Sequence, residues 1–247
     1  SEQSILYRNL GGMKFKDVSE ETGLIDLSWS GEASPIDANG DGWLDLYVLS
    51  MQGHDEYYQN DEGRGFLKKS RDVFPRTAWG AMGIKVFDFN NDGRFDIFVT
   101  DMHSDMSEDV GFERERLKAR MQWPESFVQS GNQSIYGNAF YRQAEDGQFE
   151  EVSDEIGAEN YWPWGLTVAD INADGFLDAF LTSSMCFPYR YSANSLLIND
   201  GGKRFVDTAF LSGLEPAPAG KQLAEWFELD ADGADAAHPI CQGRSGR

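Results

Sequence analysis

Basic charge is what this sequence has little of. Its 247 residues carry 21 Lys plus Arg against 42 Asp plus Glu, a formal net charge of −21 at pH 7. Phosphate backbones are gripped by basic faces, so this deficit argues against nucleic acid as a partner. Anionic membrane surfaces are disfavoured for the same reason. Long apolar runs are missing too. None approaches the roughly 20 residues that a spanning helix needs, so no membrane insertion is expected. The opening SEQSILYRNL has no charged stretch followed by an apolar one, so no leader is expected within these residues. Cysteine is scarce: Cys186 and Cys241 permit at most one internal disulfide, which excludes a disulfide scaffold. A glycine-rich phosphate loop is absent, and no Ser–His–Asp arrangement is legible.

Turn formers and aromatics are plentiful, with 26 Gly and 17 Phe, and they lean towards an all-β fold. The chain is also repetitive. Residues 37–49 read DANGDGWLDLYVL, residues 88–100 read DFNNDGRFDIFVT and residues 170–182 read DINADGFLDAFLT. A damaged fourth copy, ELDADGADA, occupies 228–236. Between these copies runs a second recurring segment, seen in LYRNLGGMKFKDVSEETGL at 6–24, YYQNDEGRGFLKKSRDVF at 57–74, FYRQAEDGQFEEVSDEIGA at 140–158 and LLINDGGKRFVDTAFLSGL at 196–214. Each copy is a short apolar stretch, a polar glycine-containing turn and a second stretch beginning at Phe, which is a hairpin signal.

The repeat period is about 50 residues once an insertion at about 102–136 is set aside, in the range of four-stranded propeller blades. After each acidic loop the run is almost wholly apolar, as in Leu44, Leu46, Tyr47, Val48 and Leu49. Such a strand is covered on both faces, as facing blades would cover it. The expectation is therefore an all-β β-propeller over residues 1–232, with about three complete blades (28–76, 77–158 and 159–214). The leading hairpin and a trailing strand near 222–229 are parts of a fourth. They either pair to close a small ring or are the open ends of a larger propeller. Within the insertion, Ser107 is a candidate cap for a helix over about 108–122, stopped by Pro124. Residues 233–247 form an irregular tail.

The loop spacing D-x-N-x-D-G-x-x-D carries chemistry. Oxygens at positions 1, 3 and 5 converge when the backbone curls, Gly at position 6 allows the sharp turn, a carbonyl at position 7 adds a donor, and the carboxylate at position 9 closes the cage. Hard oxygens without thiolate or imidazole suit calcium over zinc or copper, and magnesium prefers fewer protein ligands. Three Ca2+ sites are expected: Asp37, Asn39, Asp41, the Trp43 carbonyl and Asp45; Asp88, Asn90, Asp92, the Arg94 carbonyl and Asp96; and Asp170, Asn172, Asp174, the Phe176 carbonyl and Asp178. A helix-flanked calcium hand is not expected, because position 12 is Val48, Val99 or Leu181 rather than Glu. In the fourth copy Glu228, Asp230 and Asp232 remain but Ala236 stands at position 9, so a weak or empty site is expected there.

These residues resemble the FG-GAP/VCBS repeat of integrin-type β-propellers over about residues 6–232. Within that group the chain is similar to bacterial relatives of cartilage acidic protein, the ASPIC/UnbV type. The resemblance implies calcium loops joining blade strands and a module that binds protein or carbohydrate ligands in adhesion. With the acidic surface, it implies a secreted, periplasmic or cell-surface setting. Two further groups stand out. Met51, His54, Asp101, Met102, His103, Asp105, Met106, Met185 and Cys186 follow the post-loop strands, where soft ligands for copper or a lyase or hydrolase pair of His103 with Asp101 or Asp105 are conceivable, against ordinary packing. Trp29, Trp79, Tyr161, Trp162, Trp164, Phe187, Tyr189 and Tyr191 either stack on sugars or fill the space between blades.

Overall fold

The computed structural model describes residues 3–102, 134–135, 137–160, 162–183, 185–186, 190–191, 193–215, 232–233 and 236–237. The chain divides into a compact unit, Ser1–Leu214, and a second unit, Glu215–Arg247. In the second, the described residues form turns at 232–233 and 236–237. The helix expected over 108–122, most of the insertion, and Glu228 and Asp230 lie outside the described residues.

The first unit is β-propeller-like. Its strands are β1 (Tyr7–Asn9), β2 (Phe15–Asp17), β3 (Ser30–Ile36), β4 (Asp45–Ser50), β5 (Glu56–Asn60), β6 (Phe66–Lys68), β7 (Thr77–Ala78), β8 (Ala81–Phe87), β9 (Asp96–Asp101), β10 (Ser134–Ile135), β11 (Ala139–Gln143), β12 (Phe149–Glu151), β13 (Pro163–Ala169), β14 (Asp178–Ser183), β15 (Met185–Cys186), β16 (Arg190–Tyr191), β17 (Ser195–Asn199) and β18 (Phe205–Asp207). Three four-stranded antiparallel sheets follow one plan: β3-β4-β5-β6, β8-β9-β11-β12 and β13-β14-β17-β18. Their first strands are neighbours, with β8 flanked by β3 and β13. Each first strand is irregular near its start, between Ser30 and Ala33, Ala81 and Gly83, and Pro163 and Gly165. Such bulges sharpen the strand's twist. The acidic loops join first and second strands, and the hairpins supply third and fourth strands.

The near-continuous apolar runs are explained by two cores, one in each seam between sheets. The first joins Ile36, Tyr47, Leu49, Tyr57 and Phe74 of the first sheet's repeat to Ile84, Ile97, Val99 and Tyr141 of the second. The other joins Phe87, Phe89, Phe98 and Phe140 to Leu166, Leu181, Leu197 and Phe205. β9 serves both: Ile97 and Val99 face one seam and Phe98 the other, because successive side chains alternate across a strand.

Every hairpin carries a feature absent from the expectation, a one-turn helix or turn after its fourth strand. The helices are α1 (Ser19–Thr22), α2 (Ser70–Val73) and α3 (Ser153–Ile156). α1 and α3 end on Gly23 and Gly157, both left-handed. A Cβ on Gly23 would sit 3.1 Å from the Phe66 carbonyl oxygen, and one on Gly157 would sit 3.1 Å from that of Phe205. Phe66 and Phe205 open equivalent fourth strands, so the leading hairpin seats on the first sheet as the second sheet's hairpin seats on the third.

Candidate metal centre at the acidic loops

The three acidic loops fold alike, hydrogen bond by hydrogen bond. In the first, Asp37 Oδ1 accepts the Asp41 N–H at 3.1 Å and Oδ2 accepts the Gly42 N–H at 2.9 Å. In the second, Asp88 accepts those of Asp92 and Gly93 at 3.1 and 2.8 Å. In the third, Asp170 accepts those of Asp174 and Gly175, both at 3.0 Å. The position 3 amides Asn39, Asn90 and Asn172 each donate to the position 5 carboxylate at 2.8 Å. Gly42, Gly93 and Gly175 have φ of 85, 87 and 90°, a left-handed conformation that glycine adopts without Cβ strain.

Position 9 does something the spacing does not announce. Asp45, Asp96 and Asp178 are buried and act as pins. One oxygen of each accepts the position 2 N–H, from Ala38 at 3.1 Å, Phe89 at 3.0 Å and Ile171 at 2.9 Å. The other accepts the N–H at the end of the third strand, from Asn60 at 2.7 Å, Gln143 at 2.9 Å and Asn199 at 2.8 Å. These three amide residues were missed from sequence. Their signal was present, since an Asn or Gln stands at one register in every hairpin segment, including Asn9. Two of them also tie sheets together. Gln143 donates to the Ala38 carbonyl at 2.6 Å and Asn199 to the Phe89 carbonyl at 2.8 Å, each in the preceding loop. A further tie runs from the Asn91 side chain to the Gly175 carbonyl at 3.0 Å.

The donor set fits a hard cation: each loop offers carboxylate, amide and carbonyl oxygens only. The loop segments 37–45, 88–96 and 170–178 contain no Lys, and their one Arg is Arg94, whose Nη2 lies 2.5 Å from Asp92 Oδ2. Burial pushes the Asp96 carboxyl up to about 6 although the Gln143 and Phe89 N–H groups pull it down, and the nearby Asp92 and Asp88 charges add to the rise. Negative charge is thus concentrated with little internal compensation. The fit has a limit. Among the described residues, no group of three or more His, Cys, Asp or Glu is drawn together as a metal cluster. The loops close on their own hydrogen bonds, and the position 9 carboxylates have both oxygens engaged.

The described members of the other candidate groups each have their own surroundings. The Met102 side chain packs on Trp162, and a Cβ at Gly31 would meet the Met51 side chain at 3.3 Å. The His54 ring nitrogen Nδ1 lies 2.5 Å from the Asp55 carbonyl, and burial, then the Arg71 charge, lowers the pKa of its imidazole. Asp101 is buried and accepts the Gly80 N–H at 2.7 Å. His103, Asp105 and Met106, on which an enzymatic reading depends, lie outside the described residues, as does Tyr161. So do the side chains of Met185, Cys186, Phe187, Tyr189 and Tyr191. Of the tryptophans, Trp162 is buried, Trp79 half-buried, and Trp29 and Trp164 are exposed. Two clefts, of about 260 and 290 Å3, lie against the leading hairpin and beside His54, and neither is lined by an acidic loop.

Repeated four-stranded sheets whose first two strands are joined by an acidic D-x-N-x-D-G-x-x-D loop define a propeller-like repeat protein. Two stretches, residues 37–99 and 122–181, match the family model described as FG-GAP-like repeat. These stretches are similar to FG-GAP-like repeats, and every position of the three expected metal sites lies within them. Among curated proteins, none matches the chain. Among the described residues, no helix is long and apolar enough to cross a membrane.

Proposed function

We propose that this is a calcium-stabilised FG-GAP-type propeller module of the ASPIC/UnbV kind, acting outside the cytoplasm to bind a protein or carbohydrate ligand. The observation that carries the reading is the identity of the three loops: the same oxygen donors stand at the same positions on the same backbone. Asp37, Asn39, Asp41 and the Trp43 carbonyl would hold the first ion. Asp88, Asn90, Asp92 and the Arg94 carbonyl would hold the second, and Asp170, Asn172, Asp174 and the Phe176 carbonyl the third. Asp45, Asp96 and Asp178 pin each loop to the sheet and offer their remaining lone pairs. A bound divalent cation supplies the positive charge that these carboxylates lack.

Affinities of about 10⁻⁴–10⁻³ M are expected for extracellular calcium modules. An ion held only by the folded chain at ten times its Kd stabilises by about 1.4 kcal/mol per site. The test is thermal unfolding in EDTA, then with added Ca2+ or Mg2+. The expected result is a lower Tm in EDTA that Ca2+ restores and equal Mg2+ does not. A melt indifferent to both would refute the metal reading. Ligand class is tested by a glycan array probed with calcium present.

A further inference from the structure

The three acidic loops hold their position 3 asparagines alike and differ in the residue that follows. Oδ1 of Asn39, Asn90 and Asn172 accepts the position 5 N–H at 3.1, 3.3 and 3.0 Å, and each Nδ2 donates to the position 5 carboxylate at 2.8 Å. Position 4 is left-handed in all three, with φ of 70° at Gly40, 57° at Asn91 and 61° at Ala173. Only the first is glycine, and Asn39–Gly40 is the one Asn-Gly pair in the 247 residues. Both residues are exposed. The Gly40 N–H has no hydrogen-bond partner among the described residues, and a Cβ placed on Gly40 would meet nothing within 4 Å. The second loop is more restrained. Asn90 is half-buried, and the Asn91 side chain is tied to the Gly175 carbonyl at 3.0 Å.

An asparagine side chain ends in an electrophilic carbon, and the main-chain nitrogen of the next residue is the nucleophile nearest to it. A side chain on that next residue crowds the approach, and glycine removes the obstacle. We infer that Asn39 is a self-modification site, losing its amide by attack of the Gly40 nitrogen on Asn39 Cγ. The nitrogen forms the new bond to Cγ and gives up its proton. The Cγ–Nδ2 bond breaks, and Nδ2 leaves with that proton as ammonia. The five-membered succinimide that results is opened by water at either carbonyl, to an aspartate or an isoaspartate at position 39. No electrons are gained or lost, and water is the only co-reactant.

The change alters what the loop can do. A carboxylate has no N–H to donate to Asp41, and it adds a negative charge beside Asp37 and Asp41. An isoaspartate also lengthens the main chain by one methylene just before the Gly40 turn. The converted loop therefore closes less well on its own bonds and depends more on a bound cation. This dependence rests on the calcium reading proposed above. Ring closure needs the main chain at Asn39 to turn until the Gly40 nitrogen faces Cγ, and a loop held to an ion resists that turn.

The test is peptide mass mapping of the 247-residue protein during incubation in mildly alkaline buffer, with EDTA or with saturating Ca2+. In EDTA, Asn39 should convert at least about tenfold faster than Asn90 and Asn172, a barrier lower by about 1.4 kcal/mol. Gly40→Ala should bring Asn39 to the rate of the other two, and it should fold, because Ala173 already occupies the same left-handed position. Equal rates at the three asparagines, or a Gly40→Ala protein that converts as fast as the parent, would overturn the inference whatever Ca2+ does. In the parent, Ca2+ should slow the loss at Asn39. Conversion that stays selective for Asn39 but ignores Ca2+ would uphold the modification site and overturn the metal reading of this loop. Asn39→Asp supplies one product directly. It should melt below the parent in EDTA and gain more from Ca2+, and a melt matching the parent's in both would overturn the effect on the loop.

Discussion

The two seams between sheets share a backbone plan and differ in what fills them. The seam between the first and second sheets holds Tyr47, Tyr57 and Tyr141 around Phe74, with ring centroids 5.0–5.4 Å from it. Three buried hydroxyls need partners. Tyr47 donates to Asp55 at 3.0 Å, Tyr57 to Asp45 at 2.6 Å and Tyr141 to the Arg76 carbonyl at 3.0 Å. The seam between the second and third sheets holds Phe87, Phe89, Phe98, Phe140 and Phe205, which bring no polar atom. At the register of Tyr57 the other two repeats have Phe140 and Leu196. One plan thus tolerates a dry seam and a hydrogen-bonded one, and only the bonded seam is wired through Tyr57 to a position 9 aspartate.

The comparison breaks most visibly in the dry seam. Phe140 is fully buried and lies 5.2–6.1 Å, centroid to centroid, from Phe87, Phe89, Phe98 and Phe205. Phe140→Ala should cost about 3–5 kcal/mol in urea unfolding, since close neighbours collapse only partly into the space. In the bonded seam the corresponding change is polar. Tyr57→Phe keeps the ring but leaves Asp45 Oδ2 with the Ala38 N–H alone, and should cost about 1.5–3 kcal/mol because the acceptor is charged. Tyr141→Phe removes a bond to a neutral carbonyl and should cost about 0.5–1.5 kcal/mol. Equal losses for the two tyrosines would mean that the tie to Asp45 carries no special weight.

The bonded seam should also respond to pH. Burial raises the Asp55 carboxyl well above the ordinary aspartate range, against the pull of the Ser50 N–H and Tyr47 hydroxyl, and the Asp101 and Glu56 charges push it further. A raised pKa means that the folded state binds this proton more tightly than the unfolded chain. Its contribution is therefore present at low pH and lost as pH climbs above about 4, the unfolded aspartate value. The other repeats carry Asn138 and Asn194 at this register, where they accept the Asp101 and Ser183 N–H groups as Asp55 accepts that of Ser50. Asp55→Asn should flatten the fall in stability as pH rises above about 4 and raise stability at neutral pH, since the cost of burying this carboxylate's charge is removed at constant shape. Unfolding midpoints across that range check it. A variant with the parent's slope would place the dependence elsewhere.

Much of this was legible in the chain. The thrice-repeated loop and the alternating hairpin segments located the three sheets and their strand order. The unbroken apolarity of Ile97–Val99 predicted a strand covered on both faces, which the two seams supply, while of Leu46–Leu49 one face, Tyr47 and Leu49, enters a seam. The position 9 pins were not legible. Asp45 finds its partner 15 residues away and Asp96 finds its partner 47 away, distances set by sheet register rather than by local spacing. Asp55 reads as one more acidic residue in an acidic chain, and only the sheet shows that it is enclosed. The short helices escaped because four residues carry too little periodicity to distinguish from a turn.

The smallest effect separates the loops themselves. At position 7 the first and third loops have Trp43 and Phe176, whose rings lie over Gly63 and Gly202 of the adjoining hairpin turns. The second has Arg94, whose guanidinium bonds Asp92 and, at 3.2 Å, the Gln143 carbonyl. On the proposed calcium reading this internal cation competes with the ion, so the second loop should bind most weakly of the three. Partly exposed ion pairs contribute about 0.2–1 kcal/mol. Arg94→Ala should therefore tighten that loop alone, by about 1.5- to 5-fold. The Gly42, Gly93 and Gly175 amides, each bonded to the first aspartate of its loop, report the loops separately in a calcium titration followed by NMR. The Gly93 midpoint should fall while the other two hold. A shared shift of all three midpoints would mean that the loops are coupled through the Gln143 and Asn199 ties rather than tuned one by one.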